Sequence, residues 1–120
     1  MARADAGARA EALAADYLAG QGLAVVARNF RTRFGEIDLI ARDGDTLVFV
    51  EVRARATAEF GRAAESVTDA KKRKVTAMAV EYLARHHVTH RPCRFDVVAI
   101  DSALSDTPEI CVYPSAFDAP

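Results

Sequence analysis

An α/β fold is predicted, a central mixed β-sheet flanked by helices in the order α-β-β-β-α-β-β. Three observations carry it. Two segments, 5–20 and from Ala63 or Thr68 to His86, place apolar residues at helical spacing. Five segments rich in β-branched and apolar residues, bounded by turn residues, read as strands. Three strands precede the second helix and two follow it, which describes a meander, a crossover helix and a return to the sheet. A chain of 120 residues suits a single domain over 1–120 with a modest core.

In the first helix, Ala8, Glu11, Ala12, Ala15, Leu18 and Ala19 fall on or near one stripe, and Leu13, Tyr17 and Leu18 are its large apolar members. Gly20 and Gly22 end it. Glu11 sits beside or within the inward stripe, and periodicity alone reads it as a helix-surface glutamate. The first strand runs from Leu23 to Phe30. Arg28, Arg31 and Arg33 then interleave with Phe30 and Phe34, a pattern suited to holding phosphates and stacking on bases. The same arginines also fit an exposed strand end, and both phenylalanines are expected in the core.

The hairpin from Gly35 to Arg55 organises the chain. Asp43-Gly44 between two apolar runs is a strong hairpin signal, because glycine accepts the positive φ of a tight turn. A two-residue loop there sets Arg42 opposite Asp45 and Asp38 opposite Phe49. Side chains alternate between faces. Ile37, Leu39, Ala41, Val48, Val50 and Val52 then share a wholly apolar face, and a one-residue slip would bring Glu51 into it. The other face holds Glu36, Asp38, Ile40, Leu47, Phe49, Glu51, Arg53 and Arg55, apolar near the turn and charged away from it. Asp38 and Glu51 become diagonal neighbours, roughly 7–8 Å apart at the backbone, near enough to share a cation. Paired carboxylates repel, and a half-buried unpaired one is costly; a divalent metal removes both penalties.

Beyond Gly61 comes the second helix, capped by Ser66 or Thr68, with Val67, Ala70, Lys71, Val75, Met78, Ala79, Tyr82 and Leu83 as its buried stripe. Lys71-Lys72-Arg73-Lys74 is the densest basic run. A solvated face is the ordinary reading of such a run, and phosphate contact is the functional one. Lys71 is set apart because its phase turns it towards the core side. His86, His87 and His90 lie at the helix end without cysteine or carboxylate at ligand spacing, so zinc is set aside. Cys93–Asp101 is a strand, Glu109–Tyr113 is its partner across the Ser102–Pro108 loop, and the tail 114–120 is expected to pack poorly.

Net charge is −1, but from Arg28 to Arg94 there are 14 Lys or Arg against 9 Asp or Glu, while Asp101 to Pro120 holds four acids and no base. The middle of the chain can therefore carry a basic surface, though a weaker one than a strongly basic nucleic-acid binder has. Cys93 and Cys111 have no metal-ligand spacing and read as reduced thiols. The N-terminus has no secretory pattern and no apolar run is long enough to span a bilayer, so a cytoplasmic protein without membrane association is expected.

An acid in the second strand followed by Glu-x-Arg in the third resembles the PD-(D/E)xK nuclease superfamily, whose fold is restriction-endonuclease-like. More narrowly, Gly35-Glu36-Ile37-Asp38-Leu39-Ile40, Phe49-Val50-Glu51-Val52-Arg53, Lys71 and Arg94-Phe95-Asp96-Val97-Val98 resemble the YraN-type bacterial proteins, akin to archaeal Holliday-junction resolvases. The resemblance runs from Glu11 to Ile100. It implies metal-assisted hydrolysis of DNA phosphodiesters, with Glu11, Asp38 and Glu51 binding Mg²⁺ or Mn²⁺. The motif lysine position holds Arg53, which can grip a phosphate but cannot act as a base; Lys71 is the candidate replacement amine. Arg28, Arg31, Arg33, Arg55, Lys72, Arg73 and Lys74 are the candidate nucleic-acid contacts. The resemblance leaves a homodimer open, since resolvase-like enzymes match the two-fold symmetry of a junction. Two rival readings stand beside the nuclease: a DNA-binding module of the same fold that does not cut, which Arg53 favours, and a protein-interaction domain.

Overall fold

The computed structural model describes residues 3–55, 69–87, 92–102 and 105–118, with side chains for all of these except 3–6, 55 and 115–118. The loop around Gly61, the helix start at Ala63 or Thr68, the caps Ser66 and Thr68, Val67, His90 and the Arg55 side chain lie outside the described residues.

The elements are α1 (Arg3–Gly20), β1 (Ala24–Thr32), β2 (Gly35–Asp43), β3 (Thr46–Arg55), α2 (Asp69–Arg85), β4 (Cys93–Asp101) and β5 (Glu109–Asp118). The predicted order α-β-β-β-α-β-β is observed. The five strands form one mixed sheet in the order β1-β2-β3-β4-β5, with β3 and β4 parallel and the other neighbours antiparallel. One sheet face packs Leu39, Ala41, Val48, Val50, Val98 and Ile100 against Ala10, Ala14, Ala15 and Leu18 of α1. The other packs Ile40, Leu47, Phe49, Phe95 and Val97 against Val75, Met78, Ala79 and Tyr82 of α2.

The structure corrects the phase of α1. Ala10 and Ala14 are buried, while Ala8, Ala12 and Ala19 are exposed. An alanine-rich helix offers little size contrast between its faces, so periodicity phases it poorly. Gly22 closes it in a Schellman arrangement: at φ +92°, its N–H donates to the Ala19 carbonyl and the Leu23 N–H to the Leu18 carbonyl.

The hairpin keeps its predicted parity but moves by two residues. Its loop is Gly44-Asp45, so Asp43 pairs with Thr46 and Arg42 with Leu47. Gly44 has φ +60° at the first central position. That is where a type II′ hairpin takes glycine, whereas an Asp43-Gly44 type I′ turn would also put Asp43 at positive φ. Ile37 is a further correction, since it joins Ile40 in the cluster beneath α2 rather than Leu39 beneath α1. Ala27 and Phe30 also pack against that cluster together. A spacing of three in both strands marks a break in alternation. The ladder pairs Arg28 with Leu39 and Phe30 with Ile37 and skips Asn29 and Asp38, and Asn29 takes φ +53°.

Phe30 meets Tyr82 edge-on, as expected of a core residue, but Phe34 is 38% exposed beneath the Arg33 guanidinium. The last strand runs past Tyr113, through Pro114 and into the tail, pairing Phe117 with Phe95 and Asp118 with Arg94. Proline is tolerated there because β5 is an edge strand. No described helix is long and apolar enough to cross a membrane.

Candidate functional site

The break in alternation sets up the site. Asp38 is skipped in the β1 ladder, and its carboxylate accepts the Val52 N–H of β3, 2.8 Å from Oδ2. Glu36 lies two residues before it on β2, and Glu11 is half-buried on α1 beside Ala14, Ala15 and Leu18 of the buried stripe. One carboxylate oxygen from each of Glu11, Glu36 and Asp38 lies within 4.8 Å of the other two, the one such group of three metal-ligating side chains among the described residues.

Asp38 and Glu11 are electrostatically uncomfortable. Burial pushes the Asp38 carboxyl above its ordinary value; the Glu51 and Glu36 charges add to this, and the Val52 N–H and Lys71 oppose it. Glu11 is raised first by burial and then by Asp38 and Glu36, with Arg28 opposing. A carboxylate group held together against mutual repulsion, offering only hard oxygen donors, suits Mg²⁺ or Mn²⁺. An octahedral Mg²⁺ spans roughly 4.2 Å between opposite ligand oxygens, and these three oxygens lie within 4.8 Å of one another.

Glu51 is arranged differently. It is 17% exposed, and its two oxygens are taken by cations: Lys71 Nζ contacts Oε1, while Arg53 Nε and Nη2 each lie 2.9 Å from Oε2. It stays within electrostatic reach of Asp38, whose proton affinity it raises. The structure therefore brings Glu11 and Asp38 together as expected. It adds Glu36, which sequence reasoning placed on the charged face without a role, and gives Glu51 to Arg53 and Lys71.

Of the remaining expected contacts, Arg28, Arg31, Arg33, Lys72, Arg73 and Lys74 are all exposed. Arg31 pairs with Glu36 at 3.0 Å, itself 80% exposed, and Arg28 lies close enough to Glu11 to lower its proton affinity. His86 stacks on Tyr82, and neither it nor His87 joins the acid group. Cys93 and Cys111 are half-buried thiols, and neither is in a disulfide.

The family model described as "Uncharacterised protein family UPF0102" matches residues 10–100. A UPF0102 protein of Methylobacillus flagellatus is 52% identical over 97 residues, covering 81% of this chain and 84% of its own. One from Geotalea uraniireducens is 45% identical over 112 residues, covering 93% and 88%. One from Mycolicibacterium vanbaalenii is 44% identical over 108 residues, covering 90% and 89%. The matched span takes in Glu11, Glu36, Asp38, Glu51, Arg53 and Lys71, and this chain belongs to the UPF0102 family, the YraN-type bacterial proteins that its motifs resemble.

Proposed function

We propose that this protein is a divalent-cation-dependent nuclease that hydrolyses DNA phosphodiesters, with branched or junction DNA as its favoured substrate class. The observation that carries the reading is the ring of Glu11, Glu36 and Asp38, three carboxylates gathered from α1 and β2 beside a carboxylate that holds two cations. A protein-interaction surface has no need of two half-buried acids, Glu11 and Asp38, held against repulsion beside the exposed Glu36.

In this reading Glu11, Glu36 and Asp38 supply the oxygen ligands. A bound cation would lower the pKa of a coordinated water and offset charge on the scissile phosphate. Glu51 fixes Lys71 and Arg53 at the rim, where their N–H groups face a phosphate oxygen and stabilise charge that builds up in the transition state. Were a phosphate to engage Lys71 and Arg53, Glu51 would be available beside Asp38 to help hold the cation. Arg53 binds and does not take a proton. Arg28 and the exposed run Lys72-Arg73-Lys74 hold flanking strand by charge.

The reading is tested by cleavage of labelled duplex, single-stranded, flap and four-way-junction DNA in Mg²⁺ or Mn²⁺, with EDTA as control. Metal-dependent cutting is the expected result. The cationic grip on Glu51 favours one rival, a DNA-binding module that does not cut; retarded junction DNA that stays intact would establish that instead. Absence of both cutting and binding at low salt would leave a protein contact. Lys72→Ala/Lys74→Ala is expected to weaken DNA binding about equally across sequences and to flatten the plot of log affinity against log salt by about two units of slope, measured by fluorescence anisotropy.

A further inference from the structure

We propose that Asn29 is the positioning residue of the acid ring: its side-chain amide holds Glu11 and Glu36 in ligand geometry without neutralising them. This rests on reading the ring as a cation site. In the orientation that satisfies its neighbours, the Asn29 amide nitrogen donates to Glu11 Oε1 at 2.9 Å and to Glu36 Oε1 at 2.8 Å. One side chain on β1 thus ties α1 to β2 through two of the three ring carboxylates.

The backbone supports the same role. Asn29 takes φ +53° within a strand, in the left-handed region that non-glycine residues rarely adopt and that asparagine tolerates better than most. The β1–β2 ladder skips Asn29 and Asp38 together, so the left-handed residue that carries the amide stands opposite the ring's Asp38. A fully regular β1 would alternate Asn29 with its neighbours and pair it across to Asp38.

Charge explains why an amide suits this place. Glu51 is gripped by a lysine and an arginine, which neutralise it. Had a lysine or arginine bridged Glu11 and Glu36 from position 29, it would have competed with the incoming cation. An aspartate there would have added a fourth negative charge and no donor. A carboxamide gives two N–H donors and no charge. Arg31 also touches Glu36, through the other oxygen, but its guanidinium is 80% exposed and solvent screens its charge; Asn29 is exposed too, and brings no charge to the ring.

The test is isothermal titration of the full chain with Mn²⁺, with thermal melts of the metal-free protein alongside. Asn29→Gly accepts the positive φ and removes only the amide. It is expected to melt as a folded protein and to bind Mn²⁺ about 10- to 100-fold more weakly than the wild type, the usual effect of losing a partner that orients a ligand. Asn29→Asp, which also tolerates this backbone, is expected to lower the metal-free melting midpoint and to gain more from saturating Mn²⁺ than the wild type does. Binding by Asn29→Gly within twofold of the wild type would overturn the role of Asn29. Should Asn29→Gly fail to fold, a midpoint and Mn²⁺ response of Asn29→Asp equal to wild type would overturn it. Asp38→Asn separates the two levels. If the wild type binds Mn²⁺ and Asp38→Asn does not, the ring stands and the titration of Asn29→Gly decides. If the wild type takes up no Mn²⁺, the cation site and the role of Asn29 fall together.

Discussion

Asp38→Asn is expected to abolish Mg²⁺-dependent DNA cleavage, by about 10³-fold or more, while raising the melting midpoint of the metal-free protein. The first effect follows from losing the ring carboxylate that feels the charges of Glu51 and Lys71, a loss on the scale of removing a principal electrostatic group from the transition state. The second effect follows from linkage. Asp38 and Glu11 bind protons more tightly in the folded protein than carboxyls do in the unfolded chain. Their contribution to stability is therefore unfavourable. It grows as pH rises from the ordinary carboxylate value through the raised one and is fully present above it. Asparagine keeps the shape, and its side-chain oxygen can still accept the Val52 N–H, so what disappears is mainly the charge. A rise at pH 8 that shrinks as pH falls towards 4 is the expected result of calorimetry in EDTA. For the wild type the same protons must leave before a cation enters, so Mn²⁺ affinity is expected to fall with pH through the raised values. A lower midpoint for Asp38→Asn at pH 8 would show that Asp38 is a structural acceptor and is not under repulsion.

Phe49→Ala is expected to give the largest loss of stability. Phe49 is fully buried on β3, meets Tyr82 of α2 edge-on at 5.9 Å, and lies in the core cluster with Ile40, Phe95 and Met78. Removing a buried ring costs about 3–5 kcal/mol, the lost transfer energy plus the cavity left behind. In a domain with about 5–15 kcal/mol in all, that leaves a marginal fold. Urea denaturation is the measurement. Phe34→Ala is the contrast, because its half-exposed ring touches Arg33, and a change within about 0.5 kcal/mol is expected. Equal losses at the two positions would contradict the placement of the core.

Element order and the hairpin parity were legible because burial depends on them. Leu39, Ala41, Val48 and Val50 can share a face only in one parity, and Ile40, Leu47 and Phe49 then mark a second covered face. The exact register was not legible, since a shift of two residues keeps every face assignment and only the turn geometry at Gly44 chooses between them. Pro114 read as the end of the last strand, yet an edge strand tolerates proline because one of its sides needs no ladder bond. The site was legible in part. Asp38 stood out as a carboxylate within an apolar strand, whereas Glu11 came from resemblance, because helical phase alone leaves a surface glutamate in an alanine-rich segment. Glu36 was missed as a ring member because its place there depends on the break at Asn29. Hydrophobic pattern does not encode the sign of one φ angle; the signal available was an asparagine inside a strand, a residue that tolerates the left-handed region.

In the proposed function the cation of the DNA-free protein sits among Glu11, Glu36 and Asp38. Anomalous scattering from crystals grown in Mn²⁺ tests it most directly. A single strong peak is expected with one oxygen from each of these three residues at about 2.1 Å, and with Glu51 still held by Lys71 and Arg53. A peak bridged by Asp38 and Glu51 with Glu36 turned away, or no peak near Asp38 at saturating Mn²⁺, would contradict it.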